Sequence, residues 1–395
     1  MVKKTIRDIE VKGKRVLVRV DFNVPLDIAT GAISDDTRIR AVLPTIKYLV
    51  EHKAKVIICS HLGRPDGKVV AGLRMAPVAQ RLSQLINLAV SVASDCVGSD
   101  VKTAVTNLKP GDILLLENLR FHAEEEANEP SFAHDLARLA DIYVDDAFGT
   151  AHRAHASTVG VATYLPAIAG FLMEKELEAL GSLLTSPRHP FVALLGGAKV
   201  GDKIGLIQNI LSKVDLLLIG GGMAATFLKA QGYEVGLSLV EADKKNLALE
   251  LMAAAKRNGI ALLLPTDVII TNNINPNAKG DVVRVSNIPA NKSIVDIGPQ
   301  TIEYFSQKIR PCQTIFWNGP MGVYEIKQFA GGTKAMAELL ASLKATTVVG
   351  GGSTAEIVEE MNLADKMTHV STGGGASMKF LEGKSLPGVD VLLDK

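Results

Sequence analysis

Cysteine is scarce in this chain. Cys59, Cys96 and Cys312 are the only three among 395 residues, odd in number and far apart. They build neither a disulfide framework nor a CxxC metal site, which fits a reducing, cytoplasmic setting. Net charge is also missing: 43 Lys and Arg against 42 Asp and Glu leave +1. That balance gives no electrostatic case for nucleic acid or an anionic membrane as a partner. Long apolar runs are absent too. Positions 156–173 carry no charge, but Ser157, Thr158, Thr163, Pro166 and two glycines make them a poor membrane span. The opening MVKKTIRDIEVKGKR contains no apolar signal core. Gly383-Lys384-Ser385 lacks the upstream glycine of a G-x-x-x-x-G-K-[ST] motif, which excludes a P-loop enzyme. His152-Arg153-Ala154-His155 lacks the glutamate and spacing of a zinc helix. No Ser–His–Asp or Cys–His arrangement stands out.

What is present is an alternation. With 47% hydrophobic and 22% charged residues the composition is that of an ordinary globular protein, and the length predicts two or three domains. Short apolar runs stand at 15–20, 55–60, 90–93, 112–117 and 142–147, then at 191–196, 215–220, 261–265, 314–319, 346–350 and 367–372. Most are continuously apolar, as parallel strands buried on both faces are. Between them lie helix-like segments at 37–52, 129–140, 242–258, 329–343 and 354–362. The pattern predicts an α/β protein of two Rossmann-like lobes, each a parallel sheet flanked by helices. The charged stretch FLMEKELEALGSLL (171–184) has no strand beside it and reads as the hinge helix that joins them. The expected bounds are 1–170, the helix at 171–185, and 186–375, followed by a terminal segment at 376–395.

In open parallel sheets, ligands bind beyond the carboxyl ends of the strands. In the first half those ends are basic. They read Asp21-Phe22-Asn23, His61-Leu62-Gly63-Arg64, Glu117-Asn118-Leu119-Arg120 and DAFGTAHRAH with Arg153, while Arg38 opens the first helix. Arginine follows the same bias, with 11 in positions 1–170 and 4 in the remaining 225. A lone arginine after a strand is commonly a solvated cap. Four basic strand ends in one sheet point instead to a site for a small, multiply anionic ligand.

The second half has glycine at its strand ends: GGAK (196–199) followed by Lys203, then GGG (220–222), DIGP (296–299), WNGP (317–320), GGGST (350–354) and STGGG (371–375). Glycine lets backbone N–H groups approach an anion, and a helix start adds positive potential. GGGSTAEIVEE reads as strand, glycines, Ser/Thr cap and helix. Gly220-x-Gly222-x-x-Ala225 and Gly350-x-Gly352-x-x-Ala355 match a dinucleotide fingerprint weakly, with Glu241 at the right distance from the first but placed before a helix. A reaction whose nucleophile is already anionic needs positioning and charge neutralisation more than a general base. The residues therefore point to an anion site in one lobe, a nucleotide site in the other, and phosphoryl transfer between them.

RVDFNVPL, HLGRP, LENLRF, DAFGTAHRAHAS, GGAKVGDKI, WNGPMGVYE and STGGGAS, in this order and spacing, strongly resemble the phosphoglycerate kinase family across essentially the whole chain. The resemblance implies reversible phosphoryl transfer from 1,3-bisphosphoglycerate to ADP, giving 3-phosphoglycerate and ATP, with Mg²⁺ carried on the nucleotide. It implies a monomer, hinge closure, and a C-terminal segment near 376–395 packed on the first lobe. Asp21, Asn23, Arg38, His61, Leu62, Gly63, Arg64, Arg120 and Arg153 would hold the phosphoglycerate. Arg38, Lys199, Lys203, Gly373 and Gly374 would serve the transferring group. Lys203, Gly298, Glu325, Gly351, Gly352, Ser353 and Thr354 would line the nucleotide site. The family usually reads Gly-Gly-Asp-Ser/Thr where this chain has Gly351-Gly352-Ser353-Thr354. Ser353 thus replaces a carboxylate that helps hold Mg²⁺, and a non-catalytic nucleotide-binding relative is the alternative.

Overall fold

The computed structural model describes residues 2–27 and 30–395. The chain divides into two units, Met1–Glu178 with Ser385–Lys395, and Ala179–Lys384. The helix Phe171–Thr185 runs across the boundary.

In the first unit the apolar runs become β1 (Arg15–Val20), β2 (Lys55–Cys59), β3 (Val90–Val92), β4 (Ile113–Leu115) and β5 (Ile142–Asp146). A sixth strand, β6 (Ala167–Ala169), was not expected. It takes up Ala167–Ala169 of the uncharged run 156–173, which otherwise forms helical turns over 156–163 and the start of the helix at Phe171. The order is β3-β4-β2-β1-β5-β6, all parallel. Parallel pairing demands crossovers, and the helix Thr37–Glu51 supplies the one from β1 to β2. It buries Ile39, Val42, Ile46 and Leu49, the spacing of one helical face. These meet Val16, Val18 and Val20, every second residue of β1, in one core. Each such side chain contributes roughly 1.5–3 kcal/mol by leaving water. Both chain ends are stitched to this unit's edge: Thr5 bridges Ala169, Lys3 bridges Asp394, and Leu393 N–H donates to Ala167 O.

The second unit holds β7 (Phe191–Leu195), β8 (Leu216–Ile219), β9 (Ala261–Leu263), β10 (Asp267–Thr271), β11 (Asp281–Arg284), β12 (Ser293–Ile297), β13 (Thr314–Asn318), β14 (Thr346–Gly350) and β15 (His369–Val370). Six of them form the parallel sheet β15-β14-β13-β7-β8-β9. The other three form an antiparallel sheet, β11-β10-β12, which the sequence reading of one parallel sheet per lobe did not include. Only β11 has a weak signal, being largely exposed and separated from β10 by an asparagine-rich loop; β10 and β12 are largely buried. This small sheet has a core of its own, Val268, Ile270, Val285 and Ile288 against Ala225 and Leu228. Among the described residues no helix is long and apolar enough to cross a membrane.

Candidate functional sites

Register brings the basic strand ends of the first unit together. Arg19 pairs with Cys59, and Val20 with Asp146, so the ends of β1, β2 and β5 are neighbours. Leu119 N–H donates to Ser60 O, which draws the loop after β4 to the end of β2. Asp21 then accepts from Arg38 Nη1 at 2.6 Å, and His61 Nδ1 lies 3.9 Å from the other carboxylate oxygen. Burial alone would raise the Asp21 carboxyl, but the cations Arg38 and Arg19 beside it hold it below the ordinary value. His61 goes the other way: burial, with Arg19, Arg120 and Arg38 nearby, keeps the ring well below 6.5 and therefore neutral at pH 7.

Two loops are locked to each other through Asn118. Its Oδ1 accepts from the N–H groups of Leu62 and Arg120, both at 3.1 Å. Its Nδ2 donates to Leu62 O at 2.7 Å and Leu73 O at 3.0 Å. Arg120 Nη1 donates to Gly63 O at 2.7 Å, and Gly63 N–H donates to Asn23 Oδ1 at 2.8 Å. Gly63 needs to be glycine, because φ is +64° and a Cβ would lie 2.8 Å from Leu73. Burial lowers the Arg120 pKa, with Glu126 opposing and Arg153 adding to the effect. Thus Asp21, Asn23, Arg38, His61, Leu62, Gly63 and Arg120 form one connected group, with Arg153 within electrostatic reach. Arg38 is half-exposed and Arg64 exposed at its rim. Sequence reasoning passed over Asn118, Arg19, Glu125 and Ser157, all buried. A polar residue inside an otherwise apolar strand, as Arg19 is in RVLVRV, was the available signal.

In the second unit β7, β13 and β14 end side by side, with Leu195, Asn318 and Gly350 in register. Their glycine loops interlock. Gly197 N–H donates to Pro320 O at 2.8 Å, and Met223 N–H to Gly197 O at 2.9 Å. A Cβ on Gly319 (φ +96°) would lie 2.4 Å from Gly196 O. Lys203 Nζ donates to Asn318 Oδ1, and burial lowers its pKa to about 8. The Gly351 position (φ +90°) faces Asn318 Nδ2, where a Cβ would approach to 2.8 Å. Thr354 Oγ1 accepts from Gly319 N–H at 2.7 Å.

The expected Ser/Thr cap of the next helix is not there. The helix Gly352–Glu360 has Gly351 as its N-cap, with no side-chain cap bond. Thr354 is spent on Gly319, and Ser353 is hydrogen-bonded to Tyr324. Glu241 serves the loop instead: its Oε2 accepts from the N–H groups of Val200 and Gly201, at 2.5 and 3.1 Å, and fastens the loop that carries Lys199. Lys199 and Glu325 are exposed. Gly298 precedes the helix Pro299–Ile309, where a Cβ would strike the Asp267 carboxylate that caps it. Gly373 and Gly374 lead into the short helix Gly375–Leu381, with Gly373 N–H donating to Ser371 Oγ.

Outside these groups, Asp95, Cys96 and His122 cluster within 4.8 Å of one another. Asp95 pairs with His122 Nε2 at 2.6 Å, and the buried Cys96 thiol donates to Glu117 O at 3.0 Å. Those contacts account for the cluster, and we assign it no metal. All three cysteines are free and buried.

The phosphoglycerate kinase family model matches residues 6–384. A phosphoglycerate kinase of Pelotomaculum thermopropionicum is 58% identical over 395 residues, covering all of both chains. One of Moorella thermoacetica is 55% identical, again over the full length of both. Among solved structures, phosphoglycerate kinase from Coxiella burnetii superposes with a TM-score of 0.89 at 42% identity, covering 98% of each chain. The enzyme from Pyrococcus horikoshii gives 0.83 at 34% identity, covering 99% of this chain and 98% of that one.

Proposed function

The chain belongs to the phosphoglycerate kinase family, and from that premise we propose how its residues divide the work. Its reaction is reversible phosphoryl transfer between 1,3-bisphosphoglycerate and ADP, giving 3-phosphoglycerate and ATP. One observation carries the assignment of sites: the connected basic group at the strand ends of the first unit, where the second unit has glycine loops instead. Asp21, Asn23, His61, Arg64, Arg120 and Arg153 bind the phosphoglycerate, with Leu62 and Gly63 shaping the loop. Arg38, half-exposed and tethered through Asp21, faces the migrating phosphoryl group. An acyl phosphate and a phosphate oxygen need no base between them, so neutral His61 donates rather than abstracts.

The nucleotide phosphates lie on the glycine loops of the second unit, with Lys203 and Lys199 as cations. Gly351, Gly352, Ser353, Thr354 and Glu325 border the phosphates and ribose, Gly298 the base, and Gly373 and Gly374 the transferring group. Mg²⁺ supplies charge neutralisation on the phosphates. The loop 351–354 offers it a neutral hydroxyl at Ser353 and no carboxylate, so these residues fit the ion as one carried by the nucleotide. In-line transfer needs the reacting atoms within roughly 3–3.5 Å. We infer that the units close on each other when both substrates are bound, as a monomer. Small-angle scattering checks this: a radius of gyration unchanged at saturation, or the mass of a dimer, refutes it.

The activity itself is tested with purified protein by ADP-dependent ATP formation from 1,3-bisphosphoglycerate. Nucleotide binding without ATP formation would instead select the non-catalytic relative, whose only support is Ser353.

A further inference from the structure

We propose that Arg19 fixes the tautomer of His61, so that a buried relay from Glu125 through Ser157 and Arg19 presents the His61 Nε2–H as a donor to the bound phosphoglycerate. The second half of this statement rests on the substrate reading above; the first half does not.

Arg19 sits in β1 and is 1% exposed. Its guanidinium is held on three sides. Nη1 donates to Val20 O. Nε donates to Ser157 Oγ at 2.8 Å. Nη2 lies 3.2 Å from His61 Nδ1. Ser157 is in turn anchored by Glu125, its Oγ donating to Oε1 at 2.6 Å and its N–H to Oε2 at 2.9 Å. Glu125 is fully buried. Because its Oε1 takes the serine proton, Ser157 Oγ is left with a lone pair for Arg19 Nε. Every link in the chain therefore has a defined direction.

The direction decides the histidine. A guanidinium has donors and no lone pair. The Nη2–Nδ1 contact is a hydrogen bond only when Nδ1 accepts, which leaves the single proton of the neutral ring on Nε2. No other neighbour reverses this. The Asp21 oxygen facing Nδ1 is 3.9 Å away, beyond a hydrogen bond, and that carboxylate is already paired with Arg38. The other charged groups facing the ring, Arg38 and Arg120, are cations that resist a second proton, and the ring is held well below its ordinary pKa. Among the described residues Nε2 takes no protein partner, and it is not a sealed, unsatisfied atom. It is the donor left for a ligand. Arg19 thus acts through His61 as a positioning residue.

The test is long-range ¹⁵N–¹H correlation on the full chain labelled at histidine, from pH 5.5 to 8.5, with and without 3-phosphoglycerate. We expect His61 as the Nε2–H form throughout, without a titration step. An Nδ1–H signal, or a midpoint near the ordinary 6.5 in the free protein, overturns the lock. This outcome needs no variant, so it stands even if Arg19 substitutions do not fold. In Arg19→Lys we expect His61 to lose the single tautomer and to titrate. KM for 3-phosphoglycerate should rise roughly tenfold or more and become pH-dependent, while KM for nucleotide stays put. An unchanged tautomer and a pH-flat KM in the Arg19→Lys protein overturn the role of Arg19. If 3-phosphoglycerate leaves the Nε2 signal unmoved while the tautomer is as stated, the substrate half fails and the lock survives.

Discussion

Asn118 tests whether the phosphoglycerate site is held by its own side chains or by what lies beneath them. The perturbation is Asn118→Ala. The residue is completely buried and makes four hydrogen bonds, two accepted from the N–H groups of Leu62 and Arg120 and two donated to the carbonyls of Leu62 and Leu73. Truncation removes one partner from each bond and leaves four main-chain groups behind. A buried group left unsatisfied costs about 1–3 kcal/mol. Leu73 is only partly buried and can turn to water, and a carbonyl has a second lone pair, so the lower figure applies to most of them. The expected loss is roughly 3–5 kcal/mol for the first unit. It should appear as an early transition in urea, read separately from the second unit. The loops carrying His61 and Arg120 also lose their shared anchor, so KM for 3-phosphoglycerate should rise about tenfold or more while KM for ADP is unchanged. A loss under about 1 kcal/mol with an unaltered KM would show that the loops are held by something else.

Three further outcomes are expected. Arg38→Ala should cut kcat by ~10²-fold or more, because a cation on the migrating group acts mainly in the transition state, whereas Arg120→Ala should chiefly raise KM; identical KM-only defects would contradict the division of roles. Lys203, at about 8, is charged below that pH and neutral above it, so kcat/KM for nucleotide should fall as pH rises through about 8, and Lys203→Arg should push that limb upward; an alkaline limb that Lys203→Arg leaves in place assigns the titration to another group. Ser353→Asp restores a hard ligand beside the nucleotide and should lower both the nucleotide KM and the Mg²⁺ needed for saturation, unless exposed Asp202 already supplies the carboxylate, in which case neither changes.

Much of the fold is legible because buried parallel strands are continuously apolar. The runs at 15–20 and 346–350 became strands with those bounds. What escaped did so for physical reasons. β6 is three residues long inside an uncharged run, with no polar boundary to mark it. In the antiparallel sheet only β11 is exposed and without the buried-strand signature; β10 and β12, DVIIT and SIVDI, are largely buried, but each is short and bounded by aspartate or serine. At the sites, residue type and strand-end position singled out Arg38, His61 and Arg120. They could not single out Asn118 or Ser157, whose importance lies in bonds across distances of up to 56 residues for Asn118 and 138 for Ser157. The helix cap was misread for a related reason: Thr354 is a good cap by type, but the neighbouring glycine loop claims its hydroxyl.

On the proposed reading the two units solve the same electrostatic problem in opposite ways, and the difference is one of entropy and burial. An arginine fixed in advance loses little freedom when a ligand arrives, and Arg120 is held at depth by the Gly63 carbonyl and Glu126. At the rim, Arg38 is half-exposed but tethered by Asp21 at 2.6 Å, which on the proposed reading pre-aims it at the group that moves, while exposed Arg64 has more freedom. The second unit would instead bring main chain close to the anion, which costs no side-chain ordering but requires glycines wherever loops touch, as Gly319 against Gly196 shows. Its inward-facing cation, Lys203, is held at a cost, since burial favours the neutral amine. Exposed Asp202 raises the pKa again but offsets only part of that cost, and the Asn318 Oδ1 that accepts from Nζ carries no charge. A phosphate offers a full counter-charge. Binding should therefore pull the Lys203 pKa back up and take in a proton at pH 8 or above, measurable as buffer-dependent heat in calorimetry. Binding heats independent of the buffer at that pH would place the phosphate elsewhere.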